Sequence, residues 1–305
     1  MNRRQWLQQS TLAALVLGSG RLMSAPAPAD RHRRLLMYTR SVGFQHPVVK
    51  RQGNELSLAE RIVRSLGEKN NIDVVCEKDG RVFESAEFPK FDAFFFETQG
   101  NLLSDKSLDG SPPMSITGKK ALLDAVAGGK GFIGSHCASD TFHSKGAGWQ
   151  NQERDQVDPY IAMLGGEFIV HGDQQKAWMR VVDADFPGIK GQKDFEMHEE
   201  WYALKNFAPD LHVILVQDTQ GMKTDRRNRM YQRPKFPATW ARQHHKGRVF
   251  FTSMGHREDV WESTIMQNLL TGALAWVLGR VEAEIKPNIN EVAPQASVLP
   301  APKNP

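Results

Sequence analysis

Several histidines in this 305-residue chain fall where a folded sheet would present them together: His46, His136 and His256 each follow an apolar run of strand type, His171 sits in FIVHGD and His198 opens HEEWY. One such histidine is ordinarily a hydrogen-bonded structural residue, but several at strand ends point to shared chemistry. Together with Asp140 and Glu200 they suit one of two tasks. Neutral imidazoles and carboxylates are the donors that zinc or manganese takes, usually three from the protein with one position open, and His136, His171 and His256 are the candidate ligands. Without metal, His136, Asp140, Glu200 and His256 form a general acid and base set, imidazole being suited to proton transfer near neutral pH. The spacing is long and irregular, unlike a compact HExxH, so either task depends on the fold. Trp201 and Tyr202 offer sugar-stacking rings, but in an extended segment they face opposite ways, so one of them belongs to the core. No nucleotide cofactor is expected.

The elements that must position these residues alternate. RLLMYT from Arg34 to Thr39, IDVVC from Ile72, DAFFFE from Asp92 and GFIGS from Gly131 read as buried strands. Helices fit between them over 54–69, where Ala59, Ile62, Val63 and Leu66 share a face, and over 119–126, stopped by Gly128 and Gly129. This alternation predicts a three-layer, mostly parallel central sheet, whose ligand crevice lies at the carboxyl ends of the strands. A short helix at 159–164 follows, then extended segments at 177–182, 198–204 and 213–217 and a pair at 238–241 and 248–252. A closing helix carries Ile265, Met266, Leu269, Leu270, Ala273, Leu274 and Val277 on one stripe, with Ser263 as cap and Gly279 as stop. Residues 281–305, proline-rich and without periodicity, predict a loosely ordered tail.

The first 29 residues hold a twin-arginine pair, a short apolar stretch and small residues at Ser24, Ala25 and Ala27. The pattern predicts a Tat-type signal peptide, the Tat translocase as partner during export, and a periplasmic or secreted mature protein. The apolar run is too short for a permanent membrane span, which needs roughly 20 residues. The chain has 39 Lys and Arg against 35 Asp and Glu, and setting aside Arg3, Arg4 and Arg21 leaves 36 against 35. Such a balance gives no case for a nucleic-acid partner. Whether Cys76 and Cys137 pair is left open by the sequence.

GFQHPVV at 43–49, GKGFIGSHCASD at 129–140, LGGEFIVH at 164–171, EEWY at 199–202 and PATWARQHHKGRVFFTSMGH at 237–256 follow one another as the motif blocks of ThuA-like, trehalose-utilisation proteins do. The resemblance covers about residues 34–280. It implies a flavodoxin-like, class I glutamine-amidotransferase-like fold and a role in carbohydrate metabolism, in particular on glycosides oxidised to 3-keto sugars. Amidotransferases of that fold present a cysteine in a Gly-x-Cys-x-Gly turn. Here His136 holds that position and Cys137 is displaced by one, so thiol chemistry is not expected and Cys137 reads as a small buried hydrophobe. The family's acidic-acidic-x-Tyr block makes Glu200 and Tyr202 pocket residues and buries Trp201, His46 and His171 joining Tyr202 as substrate contacts, with His46 at the rim ahead of Pro47. Phe186 stands where the family has a histidine. An enzyme of this kind, a lyase, isomerase or hydrolase, would begin by removing a proton beside the keto group. The alternative is a carbohydrate-binding or accessory protein that keeps the pocket without turnover. The basic stretch KTDRRNRMYQRPK from Lys223 to Lys235 reads as a solvated loop.

Overall fold

A computed structural model describes residues 32–223 and 228–300. The export signal expected over residues 1–29 lies outside them. The parallel half of the main sheet begins with β1 (Arg33–Tyr38), β2 (Ile72–Glu77), β3 (Ala93–Phe96) and β4 (Gly131–Ser135). Continuous apolar runs fill both faces of these strands, and the alternation of side chains divides the core in two. Leu35, Met37, Phe95 and Ile133 meet α1 (Leu58–Lys69) and α5 (Thr264–Val277) on one side. Leu36, Tyr38, Phe94, Phe96 and Phe132 meet α2 (Ile116–Ala127) and α3 (Pro159–Leu164) on the other. The result is the expected three-layer arrangement. Helix α1 starts at Leu58 rather than four residues earlier because Ser57 and Glu60 form a capping box there. Ser263, which follows the short α4 (Glu258–Glu262), caps α5 as expected, accepting the Met266 N–H.

The sheet continues through β11 (Gly247–Thr252), β10 (Phe236–His244), β9 (His212–Asp218), β6 (Gln175–Val181) and β7 (Phe195–Glu199), in the order β2-β1-β3-β4-β11-β10-β9-β6-β7. Only β10 and β6 run against the rest, so β1, β4, β7 and β11 all end at the same edge. A separate two-stranded sheet pairs β5 (Glu167–His171) with β8 (Tyr202–Lys205), setting His171 opposite Tyr202.

Three expectations are corrected. The extended segment at 198–204 is two strands in different sheets: the chain pivots at Glu200 and Trp201, where the buried Trp201 indole donates to the Gln175 carbonyl at 3.0 Å. The segment after Arg280 is anchored to the core at several points rather than loose throughout, as far as residue 300, the last one described. Ile289, at the start of α6 (Ile289–Val292), Ala293 and Ala296 are buried, and Asn288 bonds both polar groups of the Val213 backbone. The basic stretch turns Tyr231 and Arg233 inward, with Arg233 donating to the Leu204 carbonyl at 2.7 Å. Phe186 is core, stacked 5.8 Å from Phe250. Among the described residues no helix is long and apolar enough to cross a membrane.

Candidate functional site

The edge where the parallel strands end is where the histidines meet. After β4 the chain turns sharply through His136, whose φ of 36° is left-handed. Strain of this kind, about 1–3 kcal/mol, persists where the surroundings impose it. Gly134 permits the turn, since a Cβ there would come within 3.0 Å of Ala138 Cβ and Leu164 Cδ1. The His136 ring is fully buried, and its Nδ1 lies 3.0 Å from the Ser253 carbonyl. That bond makes Nδ1 the protonated nitrogen and leaves the Nε2 lone pair facing the other rings. His46 follows β1 and is held by Pro47 at the start of a short turn. His256 follows β11 through Gly255, at φ 137°. The backbone N–H groups of Gly255 and His256 both donate to Glu199 Oε2, at 3.0 and 3.1 Å. This clamp brings the pivot after β7, and with it Glu200, over the ends of the parallel strands.

His46, His136, Glu200 and His256 each offer a donor atom, and the four atoms lie within 4.8 Å of one another. The three rings are mutually edge-to-face at centroid distances of 5.0, 5.1 and 5.4 Å. The carboxylate of Glu200 has two faces. Oε2 lies 3.7 Å from His136 Nε2 and 3.0 Å from His256 Nδ1, while Oε1 lies 3.2 Å from His171 Nδ1. Burial alone would raise the Glu200 pKa, but His136 and His256 outweigh it and hold the carboxyl well below its usual range. His46 is pushed well below its ordinary value by burial and by the two neighbouring imidazoles, so it is neutral. His256 is raised, the nearby Glu200 overcoming the opposing effect of burial. His46 Nδ1 and His136 Nε2 are buried without a hydrogen-bond partner, and His256 Nδ1 has only Glu200 Oε2. His136 Nε2 and His256 Nδ1 face one carboxylate oxygen, with the His46 ring against both of theirs, a set that could hold a metal ion.

Several expected positions move. His46 is a buried member of the cluster rather than a rim residue, because the turn begun by Pro47 carries its ring inward against His136. His171 is one contact outside the cluster, reaching it through Glu200 with its side chain 43% exposed. Tyr202 is buried, its ring 3.9 Å from that of His136 and its hydroxyl 3.4 Å from His46 Nε2. Asp140 stands apart from the four donors, bonded instead to Gln99 Nε2 at 2.8 Å and His143 Nε2 at 2.6 Å. Cys76 and Cys137 are both free. Cys137 is buried, donates to Glu97 Oε1 at 3.0 Å, and has its thiol pushed far up by burial and by Glu97, so it carries no nucleophilic thiolate.

Glu97 and Glu199, beneath the cluster, were not singled out by the sequence reading. Glu97 is fully buried, which raises its carboxyl to about 8; it accepts from Ser135 and Cys137 on either side of His136 and so fixes that turn. The missed signal was an acid closing an otherwise apolar strand, DAFFFE. His143 was also missed. Its two nitrogens bond Asp140 and Glu167, which lift it to about 9. Because the folded value lies above the ordinary one, this link stabilises fully below about pH 6.5 and is lost as pH rises through about 9. The side chain is 46% exposed, so screening limits the gain to about 1 kcal/mol or less. Urea denaturation of wild type and His143→Gln should therefore differ at pH 6 and converge by about pH 10.

A cavity of about 560 Å³, bordered by Asn151, Phe207 and Arg242, shares no residue with the cluster. Its amides are already engaged: Asn206 Nδ2 donates to Gln152 Oε1, and Asn151 Nδ2 to the Ser297 carbonyl.

Comparisons with known proteins agree with this architecture. The family model described as ThuA, trehalose utilisation, matches residues 34–277. A ThuA-like protein from Bacteroides uniformis ATCC 8492 is similar in structure, with a TM-score of 0.54 at 15% identity over 83% of this chain and 93% of its own. Another from Parabacteroides merdae ATCC 43184 gives a TM-score of 0.54 at 14% identity over 81% and 90%. At these identities the likeness concerns the fold. No curated protein matches the chain.

Proposed function

The chain belongs to the ThuA family of trehalose-utilisation proteins, and from that premise we propose that it is a carbohydrate-active enzyme that takes a proton from the carbon beside the keto group of a 3-keto glycoside. The observation that carries this reading is the convergence of three imidazoles and one carboxylate at the strand ends, one donor atom from each lying within 4.8 Å of the others. An unsatisfied buried polar atom costs about 1–3 kcal/mol, so the two in this cluster, His46 Nδ1 and His136 Nε2, are best explained by what they bind. Neutral nitrogens and one carboxylate suit zinc or manganese, held by His46, His136, His256 and Glu200. Bound there, the ion would supply Lewis-acid stabilisation to the oxygen that gains negative charge.

The remaining chemistry falls to the chain's own groups. The Nδ1–H of His171 donates to the Gly172 carbonyl at 3.1 Å with Glu200 Oε1 3.2 Å away, leaving His171 Nε2 as the lone-pair nitrogen, half-exposed and suited to be the base. The Tyr202 hydroxyl, against His46, orients that ring. Transfer of the proton from the carbon beside the keto group to His171 Nε2 would leave an enediolate, from which elimination, hydration or isomerisation can follow. We place the reaction outside the cytoplasm, on the strength of the twin-arginine segment.

The test is incubation of the mature protein with a panel of 3-keto glycosides and their unoxidised parents, followed by mass spectrometry. Turnover of the keto compounds alone is expected. Equal turnover of the parents would overturn the proton-abstraction step, and binding without turnover would make this a carbohydrate-binding protein.

A further inference from the structure

Phe44 has no part in the reaction just described, yet the structure goes to some length to hold it in place. Its ring is 52% exposed, while its edge meets the buried ring of His46 at 4.8 Å and 85°. Single exposed apolar residues are common on protein surfaces and need no explanation. This one differs in being fixed by directed bonds. Gly43, at φ 105°, turns the chain where a Cβ would come within 3.2 Å of Gln99 Oε1. Gln99 Oε1 accepts the Phe44 N–H at 2.9 Å, and Gln99 Nε2 donates to Asp140 Oδ2 at 2.8 Å. The main chain repeats the link: the Val42 N–H donates to the Gln99 carbonyl, and the Gly100 N–H to the Asp140 carbonyl, each at 2.8 Å. The loops after β1, β3 and β4 are thereby locked together, with an apolar ring displayed beside the donor cluster.

We propose that Phe44 is the wall on which the sugar ring of the substrate stacks, and that Asp140 acts through Gln99 as a positioning residue for that wall. The proposal rests on the carbohydrate reading above. A pyranose has an apolar C–H face that packs on an aromatic ring, while its hydroxyls remain free for polar partners. Phe44 lies against His46 and His171 lies against Glu200, so the two exposed rings that touch the cluster offer one apolar and one polar contact to a ring held above the donors. Asp140, with both oxygens already engaged, has no need to touch the substrate.

The experiment is steady-state kinetics on a 3-keto glycoside, with calorimetric binding of the same compound. Phe44→Ala should raise KM about 10-fold at little cost in kcat, and Phe44→Trp should restore KM. Since Phe44 is exposed, its Tm should not move. Asp140→Ala and Gln99→Ala should raise KM in the same way, and Asp140→Asn, which still accepts from Gln99, should recover it. An unchanged KM and Kd in Phe44→Ala would overturn the stacking wall, and a fall in kcat with Asp140→Asn would overturn the positioning role. If the wild type turns over nothing, the enzyme reading fails, while weaker calorimetric binding by Phe44→Ala would still sustain the wall and unchanged binding would sink it.

Discussion

Glu200→Gln is expected to lower turnover of a keto glycoside by roughly 10²–10⁴-fold, the range lost with a positioned acid or base, in a protein that still folds. The carboxylate has two simultaneous tasks: Oε2 confronts His136 and His256, and Oε1 confronts His171. A glutamine matches its shape but has one acceptor oxygen. If that oxygen serves His171, the amide NH₂ takes the place of Oε2 in the cluster, and an amide nitrogen has no lone pair to offer a metal ion. If it serves the cluster, the amide NH₂ confronts the Nδ1–H of His171, donor against donor. Neither orientation restores both contacts, so activity should fall whichever is adopted. The substituted side chain stays bonded near a part-buried site, so Tm should change by only a few degrees. Retention of more than a tenth of wild-type turnover would show that Glu200 is not at the centre of the reaction.

Much of this site was legible in the sequence because strand ends are legible. The apolar runs ending at Tyr38, Ser135 and Thr252 mark where a parallel sheet stops, and the crevice rule then selects His46, His136 and His256. What escaped was direction. Exposure in a loop has no period, so nothing in GFQHPVV shows that His46 turns inward while Phe44 turns out. The pivot at Glu200 was hidden for a related reason. HEEWYAL keeps an extended-strand composition throughout, yet Trp201 is buried at a break between two sheets. Contacts between distant segments were beyond reach as well. His143 could be suspected from its position three residues after Asp140, but its second partner, Glu167, begins β5, a strand the sequence reading did not single out. The tail past Arg280 is packed through small residues, Ala293 and Ala296, that carry little hydrophobic signal.

Titrating zinc or manganese into chelator-stripped protein is expected to raise Tm by roughly 5–10 °C at a hundredfold excess over Kd. The figure combines about 2.7 kcal/mol of ligand stabilisation with about 2–4 °C per kcal/mol for a domain of this size. His136→Ala and His256→Ala should each abolish the increment. The comparison must be bound against stripped protein for each variant, because the buried, strained His136 also contributes to the fold itself. His46→Ala should behave as they do, since His46 Nδ1 is one of the unpartnered atoms. The discriminating variant is His171→Ala. His171 touches the cluster only through Glu200 Oε1, so its loss should leave most of the metal-induced shift while removing turnover. A shift that vanishes in His171→Ala would place this ring among the ligands. A shift that survives equally in all four variants would place the metal somewhere else, and the imidazole cluster would need another partner.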